Sequence, residues 1–231
     1  MNGNEDMRDR FRGALIDMDG VLYDSMPGHT ISWKKMMDGV GVDVPREEFY
    51  LYEGMTGKAT INLLMQRVFG HGVSDDEAAR LYAIKSASFK ALGSAPVLPG
   101  ASRMLAALAA LGLKRVLVTG SGQASLLDRL ERDYPGVFPE GRRVTAHDVT
   151  HGKPDPEPYL KGAEMIGERP EDCIVVENAP LGVRAGKAAG CFVCAVTTGP
   201  IPRSEFEKER ADMIFPSMEA FALYLESLNK E

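Results

Sequence analysis

The segment GALIDMDGVLYDS ends an apolar run on two aspartates, Asp17 and Asp19, with one residue between them. In an extended chain, residues two apart face the same side. Two carboxylates held that way repel one another and resist ionising together. A shared divalent cation removes the conflict, and oxygen ligands that leave room for water and a substrate phosphate suit Mg2+. Other polar groups also stand at the ends of apolar runs. Thr119, Gly120 and Ser121 follow KRVLV, His147 and Asp148 follow RRVTA and lead to Lys153 in HGKPDPEPY, and Glu177 and Asn178 follow CIVV. Hydroxyls and the free N–H groups of a helix start suit phosphate oxygens, and Lys153 brings a positive charge to carboxylate and phosphate alike. Together these groups describe a phosphoryl-transfer site.

Six short apolar runs must carry them: GALIDM, KRVLVT, RRVTA, CIVVE, CFVCAV and ADMIF. Several are nearly continuous in Val, Ile and Leu, as in strands covered on both faces. Helical patterns follow in ASRMLAALAALGL, QASLLDRLERDY, PEPYLKGAEMIG and PLGVRAGKAAG. Strand alternating with helix predicts an α/β fold with a Rossmann-like parallel sheet. Ligands of such sheets bind beyond the carboxyl ends of the strands, so the four polar groups should meet along one edge.

Residues 25–96 break the alternation, with helical patterns and no strand. Ile61, Leu64, Met65 and Val68 recur on one helical face, and Ala78, Leu81, Tyr82, Phe89 and Leu92 on another. This predicts a small all-α domain over 25–96, inserted after the first strand of a core formed by 1–24 and 97–231. SAPVLPG supplies the return hinge.

With 231 residues and a net charge of -6, the chain is large enough for a sizeable core and carries no basic stripe for nucleic acid. No apolar stretch reaches the length of a membrane span. MNGNEDMRDRFR reads as a frayed start with no signal-peptide core, so the expected setting is the cytoplasm, without a membrane partner. Cys191 and Cys194 have CxxC spacing but lie in an apolar run beside the third cysteine, Cys173; all three read as core thiols. TGSGQAS resembles a dinucleotide fingerprint only weakly, since it does not follow the first strand and has Ser125 in place of the third glycine. His147 and His151 read as solvated loop residues, RSEFEKERAD as a solvated face, and the methionines as core filler, with Met18 and Met55 beside the site loops.

Taken in order, DMDGV, LVTGS, GKPDPEPY and VVENAPLGVRAGKAAG resemble the four motifs of the haloacid dehalogenase superfamily of phosphotransferases. The resemblance covers nearly the whole chain and places a helical cap where the insert falls. It implies that Asp17 attacks phosphorus and forms an aspartyl phosphate, and that Asp19 serves as general acid and then base. It implies that Thr119 and Lys153 steady the phosphoryl oxygens. Mg2+ would be held by Asp17, the Asp19 carbonyl, Glu177 and Asn178. The family usually has Asp where this chain has Asn178, so an amide oxygen replaces a charged ligand.

Within the superfamily the chain resembles the β-phosphoglucomutase-like group, which includes small sugar-phosphate phosphatases. His29, Trp33 and Lys85 match mutase cap positions. Lys85 also interrupts the second apolar stripe, either as a site residue or as a lysine snorkelling at the helix edge. The mutase arginine that grips a second phosphate falls at Gly57, followed by Lys58. The expected activity is therefore a phosphatase of a small phosphorylated metabolite such as a sugar or polyol phosphate, working as a monomer. A mutase is the alternative, with Lys58 standing in for the arginine. A binding protein with weakened catalysis is the reading of another class. Restoring the charge with Asn178→Asp should move the Mg2+ dependence of the rate to lower Mg2+; an unchanged dependence would defeat the assignment of residue 178 to the metal.

Overall fold

The computed structural model describes residues 10–122 and 124–228. Its core is a six-stranded, all-parallel sheet in the order β3-β2-β1-β4-β5-β6. The strands are β1 (Gly13–Ile16), β2 (Lys114–Val118), β3 (Arg143–Val144), β4 (Cys173–Glu177), β5 (Phe192–Val196) and β6 (Met213–Phe215). Ile16 pairs with Leu117 on one side and Val176 on the other, so β1 lies at the centre with β2 and β4 beside it.

Alternation along the strands builds two cores. Ala14, Ile16, Leu117, Ile174 and Val176 face helices α4 (Ala101–Ala110), α5 (Ala124–Asp133) and α9 (Met218–Leu228). Leu15, Val116, Val118, Val175 and Val193 face α6 (Glu157–Met165), α7 (Pro180–Ala188) and α8 (Arg203–Lys208). This two-sided burial is why the strand runs are continuously apolar.

Between β1 and α4 stand α1 (Met26–Asp38), a 3-10 turn over Arg46–Tyr52, α2 (Gly57–Phe69) and α3 (Asp75–Ala91). Met36, Met37, Val42, Val44, Phe49, Ile61, Leu64 and Leu81 form a separate apolar centre there. The two crossings between insert and core run side by side. Tyr23 bridges antiparallel to Val97, Asp24 N donates to Pro96 O at 3.0 Å, and Leu98 N donates to Leu22 O at 2.9 Å.

Several expectations change. RRVTA contributes only two strand residues, and Thr145 turns out of the sheet by bonding to the Asp148 carboxylate. Val68 and Leu92 are exposed, because each lies at the end of its helix, past the apolar centre. Of the segment expected to be a frayed start, Phe11 is instead buried against Phe192; residues 1–9 lie outside the described part, as does Gln123 of QASLLDRLERDY. Met18 is fully buried in the core, whereas Met55 lines the cavity described below. Phe206 anchors RSEFEKERAD on one face, while exposed Arg203–Glu207 and Lys208–Glu205 pairs occupy the other.

All three cysteines are buried and unpaired, and burial pushes the Cys173 and Cys191 thiols up to about 12, so they stay protonated. Among the described residues, no helix is long and apolar enough to cross a membrane. Leu108 is fully buried on α4, at the contact with α9. Leu108→Ala should cost about 2–5 kcal/mol of unfolding free energy, measured by urea denaturation; a loss near zero would show that this contact is not a packed core.

Candidate active site

The three central strands end together. Asp17 N donates to Val176 O at 3.1 Å, continuing the β1–β4 ladder for one more residue, and Thr119 N donates to Val144 O at 2.9 Å. These bonds fix the backbone under Asp17, Thr119 and Glu177, and all three side chains are buried. Lys153 arrives from the loop before α6, and the Lys153–Pro154 peptide bond that follows it is cis. Its ammonium donates to Asp17 Oδ1 at 2.5 Å, Glu177 Oε1 at 2.6 Å and Val118 O at 3.1 Å.

Asp19 is held differently. Its Oδ1 accepts from Ser25 Oγ at 2.6 Å and lies 3.1 Å from His29 Nε2. On the far side of the imidazole, Lys85 Nζ lies 2.6 Å from His29 Nδ1. An ammonium can only donate, so Nδ1 accepts and Nε2 carries the proton given to Asp19. His29 also stacks on Phe89 at 4.0 Å, and Lys85 sits beside the rings of Trp33, Tyr82 and Phe89. Lys85 thus faces inward, and the snorkelling reading of this position does not hold: only 2% of the residue is exposed.

Charge explains the titration of the site. Burial raises Asp17 to about 8; Lys153 pulls against this, while Glu177 and Asp19 push the same way. Burial also opposes ionisation of Asp19, but the electrostatic pull of His29, the bonds from His29 and Ser25 and the nearby Lys85 charge outweigh it, leaving Asp19 below the usual carboxylate range. Burial and the Lys85 charge hold His29 low, against the pull of Asp19.

Glu53 was not found from the sequence. It lies in the short loop between the 3-10 turn and α2, four residues before Gly57, in YEGMTGK. Nothing periodic marks it; an acid beside two glycines in a predicted site loop was the only available signal. The structure buries it and sets its Oε1 at 2.9 Å from Asn178 Nδ2. Burial, with Asp17 nearby, raises its carboxyl well above the ordinary value.

One cavity joins Asp17 and Asp19 to residues of the insert, whereas Thr119, Lys153, Glu177 and Asn178 are not among the residues that line it. It is lined by Asp17, Asp19, His29, Glu53, Gly57, Lys85, Gly120 and Ser121, with Trp33, Phe49, Tyr52 and Tyr82 among the remaining wall residues. Thr119 Oγ1 accepts from Ser121 N at 3.0 Å, which orders the phosphate-suited turn. Gly120 lets the cap loop close in, since a Cβ there would stand 2.7 Å from Gly54 O. Lys58 is not brought to the cavity: its side chain, in the first turn of α2, is largely exposed and pairs with Asp75 at 2.7 Å. The structure therefore removes it as a phosphate grip. His147 and His151 are exposed and lie outside the cavity.

The donor set can be tested for a cation. Four acids, Asp17, Asp19, Glu53 and Glu177, face two ammonium groups, Lys85 and Lys153, an imbalance a divalent ion would neutralise. Asn178 Oδ1 is buried with no hydrogen-bond partner among the described residues. Buried acceptors are almost always satisfied, so this oxygen fits a ligand position. Among the described residues no group of three or more His, Cys, Asp or Glu forms a metal cage by itself; an ion here would also use the amide, a backbone carbonyl and water, in keeping with Mg2+.

Comparison with known proteins agrees with this architecture. The model of the haloacid dehalogenase-like hydrolase family matches residues 11–190. Hexitol phosphatase A of Escherichia coli is 32% identical over 212 residues, covering 91% of this chain and 93% of the relative. Beta-phosphoglucomutase of Bacillus subtilis is 27% identical, covering 81% and 84%. A solved Bacteroides vulgatus structure of the beta-phosphoglucomutase-like group shares 43% identity at a TM-score of 0.90, covering 99% of this chain and 93% of that one. The chain belongs to the haloacid dehalogenase-like hydrolase family. Its named relatives include both phosphatases and a phosphomutase.

The buried Lys85 generates a prediction. Burial lowers its pKa from 10.5 to about 8, with Asp19 opposing. Between those two values the unfolded chain holds a proton that the folded chain has released, so this group makes stability rise with pH there and is a standing cost at pH 7. Lys85→Met removes that dependence. Its stability relative to the parent should fall by roughly 2–3 kcal/mol between pH 7 and pH 10, read by urea denaturation; a difference that does not change with pH would refute the assignment.

Proposed function

We propose that the protein is a Mg2+-dependent phosphatase of a small phosphorylated metabolite, such as a sugar or polyol phosphate, acting through an aspartyl phosphate. The observation that carries this reading is the contact between Gly57 and Tyr82. A Cβ at residue 57 would stand 2.2 Å from Tyr82 Cδ2, so the ring fills the space that a mutase arginine would need. No second phosphate grip is available at that place, and the same ring lines the cavity together with Glu53. The names of the phosphatase relatives, among them Hexitol phosphatase A, glycerol-1-phosphate phosphohydrolase 1 of Saccharomyces cerevisiae and the Escherichia coli fructose-1-phosphate phosphatase YqaB, support it as well.

In this reading Lys153 holds Asp17 Oδ1 and leaves Oδ2 to attack phosphorus. Thr119, Gly120 and Ser121 receive the phosphoryl oxygens, where fixed donors lower the barrier by matching the developing charge. Asp19, ionised in the free site, receives a proton along its hydrogen bond from His29 and gives it to the departing oxygen as the P–O bond breaks. It then takes a proton from the water that attacks the aspartyl phosphate, releasing phosphate and restoring Asp17. Lys85 and His29 form a hydrogen-bonded file through which Asp19 can exchange that proton. Asp17, the Asp19 carbonyl, Asn178 Oδ1 and Glu53 would hold Mg2+, which would supply positive charge to the phosphoryl oxygens and offset the crowded acids. Ionised by such a cation, Glu53 would supply from the cap the charge that residue 178 lacks. Composition and patterning add to the proposal a monomer working in the cytoplasm.

The test is phosphate release from a ladder of substrates, from pyrophosphate through glycerol phosphates to hexose and hexitol phosphates, with Mg2+ and with chelator. Release should require Mg2+, favour compact leaving groups within the esters, and fall by about a thousandfold or more in Asp17→Asn. No release above that variant would favour a binding protein, and pyrophosphate turned over to the exclusion of every ester would overturn the sugar or polyol assignment. Glucose 6-phosphate formed from β-glucose 1-phosphate with a trace of glucose 1,6-bisphosphate would establish the mutase.

A further inference from the structure

Glu177 and Asn178 are adjacent, but the structure treats their oxygens in opposite ways. A carboxylate offers about four acceptor sites, and in Glu177 four donors of this chain take them. Oε1 accepts from Lys153 Nζ at 2.6 Å and Tyr159 OH at 2.7 Å. Oε2 accepts from the backbone N–H groups of Asn178 at 3.0 Å and Ala179 at 3.1 Å. Tyr159 and Glu177 are both buried. The pocket is shaped around the carboxyl group, since a Cβ at Gly182 would stand 1.8 Å from Glu177 Oε1. Asn178 Oδ1, by contrast, has no hydrogen-bond partner among the described residues. A cation bound to Glu177 would have to displace a charged donor, a phenol or the backbone N–H groups of the two residues that lead into α7. At Asn178 Oδ1 it would displace nothing.

We infer that Glu177 is a positioning residue for Lys153 and not a metal ligand, and that the Tyr159 hydroxyl acts through Glu177 to hold Lys153 against Asp17. Lys153 reaches Asp17 from the side of Glu177, so the two carboxylates share one ammonium. Tyr159 is rooted in α6, the helix that follows the Lys153 loop, and its ring lies 5.0 Å from the Lys153 ammonium. Tyr159, Glu177 and Val118 O form a fixed socket, and Asp17 is aimed by what the socket holds. The division of labour within the fourth motif is then complete: residue 177 faces inward to the lysine and residue 178 outward to the cation. This rests on the phosphatase reading only in giving Lys153 and Asp17 their catalytic roles.

Calorimetry with Mg2+ alone and steady-state kinetics on the full chain separate the two roles of Glu177. In Glu177→Gln the Mg2+ dissociation constant should stay within threefold of the parent, whereas Asn178→Ala should weaken it tenfold or more. Tyr159→Phe should lower kcat about tenfold with KM and Mg2+ affinity unchanged. The double variant should fall no further than Glu177→Gln alone, because both act through one lysine. A tenfold loss of Mg2+ affinity in Glu177→Gln would overturn the inference, as would an unchanged kcat in Tyr159→Phe. If Glu177→Gln does not fold, Tyr159→Phe decides by its split between kcat and KM, which a merely structural role would not produce below the unfolding temperature. A parent enzyme that releases no phosphate would sink the phosphatase reading, while the Mg2+ titrations would still decide whether residue 177 is a ligand.

Discussion

The buried ammonium of Lys153 is the interaction on which the rest of the site depends. It is drawn out of water between Asp17 and Glu177, and a charge so buried is tolerated only when well paired and hydrogen-bonded. The sheet supplies that pairing. Asp17 extends β1, Glu177 ends β4 and Val118 O ends β2, so three neighbouring strands each present one acceptor to the same cation. Because β1 is central, with β2 and β4 in register on its two sides, no other place in the fold could offer all three at once. Strand order decides the chemistry here as much as residue type does.

The insert contributes a second, weaker electrostatic system. Asp19 belongs to the core, but the groups that set its proton affinity, Ser25, His29 and Lys85, lie in or at the start of the helical segment. Glu53 belongs to the insert and meets Asn178 of the core. Both lysines buried near the acids lie against aromatic rings, whose faces attract cations while excluding water. The site is thus an assembly of two unlike halves, one rigid and tied to the sheet, the other held by side chains reaching across a crevice.

What could be read in the sequence follows the same division. Core residues sit at the ends of apolar strands, and the alternation of strand and helix is enough to bring Asp17, Thr119, Lys153 and Glu177 to one edge. Residues of the insert have no comparable rule. The helical stripe through Leu81 and Phe89 showed that Lys85 was unusual but not where it pointed, since that depends on how the insert meets the core. Glu53 and Lys58 lie five residues apart, one in the loop before α2 and the other in its first turn, yet one is buried in the site and the other faces solvent. Loop conformation decides between them, and composition carries no record of it. Tyr82 packs against the apolar centre of the insert, as its stripe predicts, and also serves as a wall, pressed on a glycine whose missing side chain makes the contact possible.

The paired crossings at Tyr23 and Val97 give the molecule a mechanical property. Two extended segments bonded to each other through Asp24, Leu22, Pro96 and Leu98 form a two-ply strap, which flexes across its flat face far more readily than it twists or shears. Any swing of the insert is thereby confined to about one axis. Such a swing would carry Glu53, Lys85 and the loop at Gly54 away together and bring them back in register. The strap would then act as an alignment device: Asp19 would lose its partners as a set, and the site would be either wholly assembled or wholly apart.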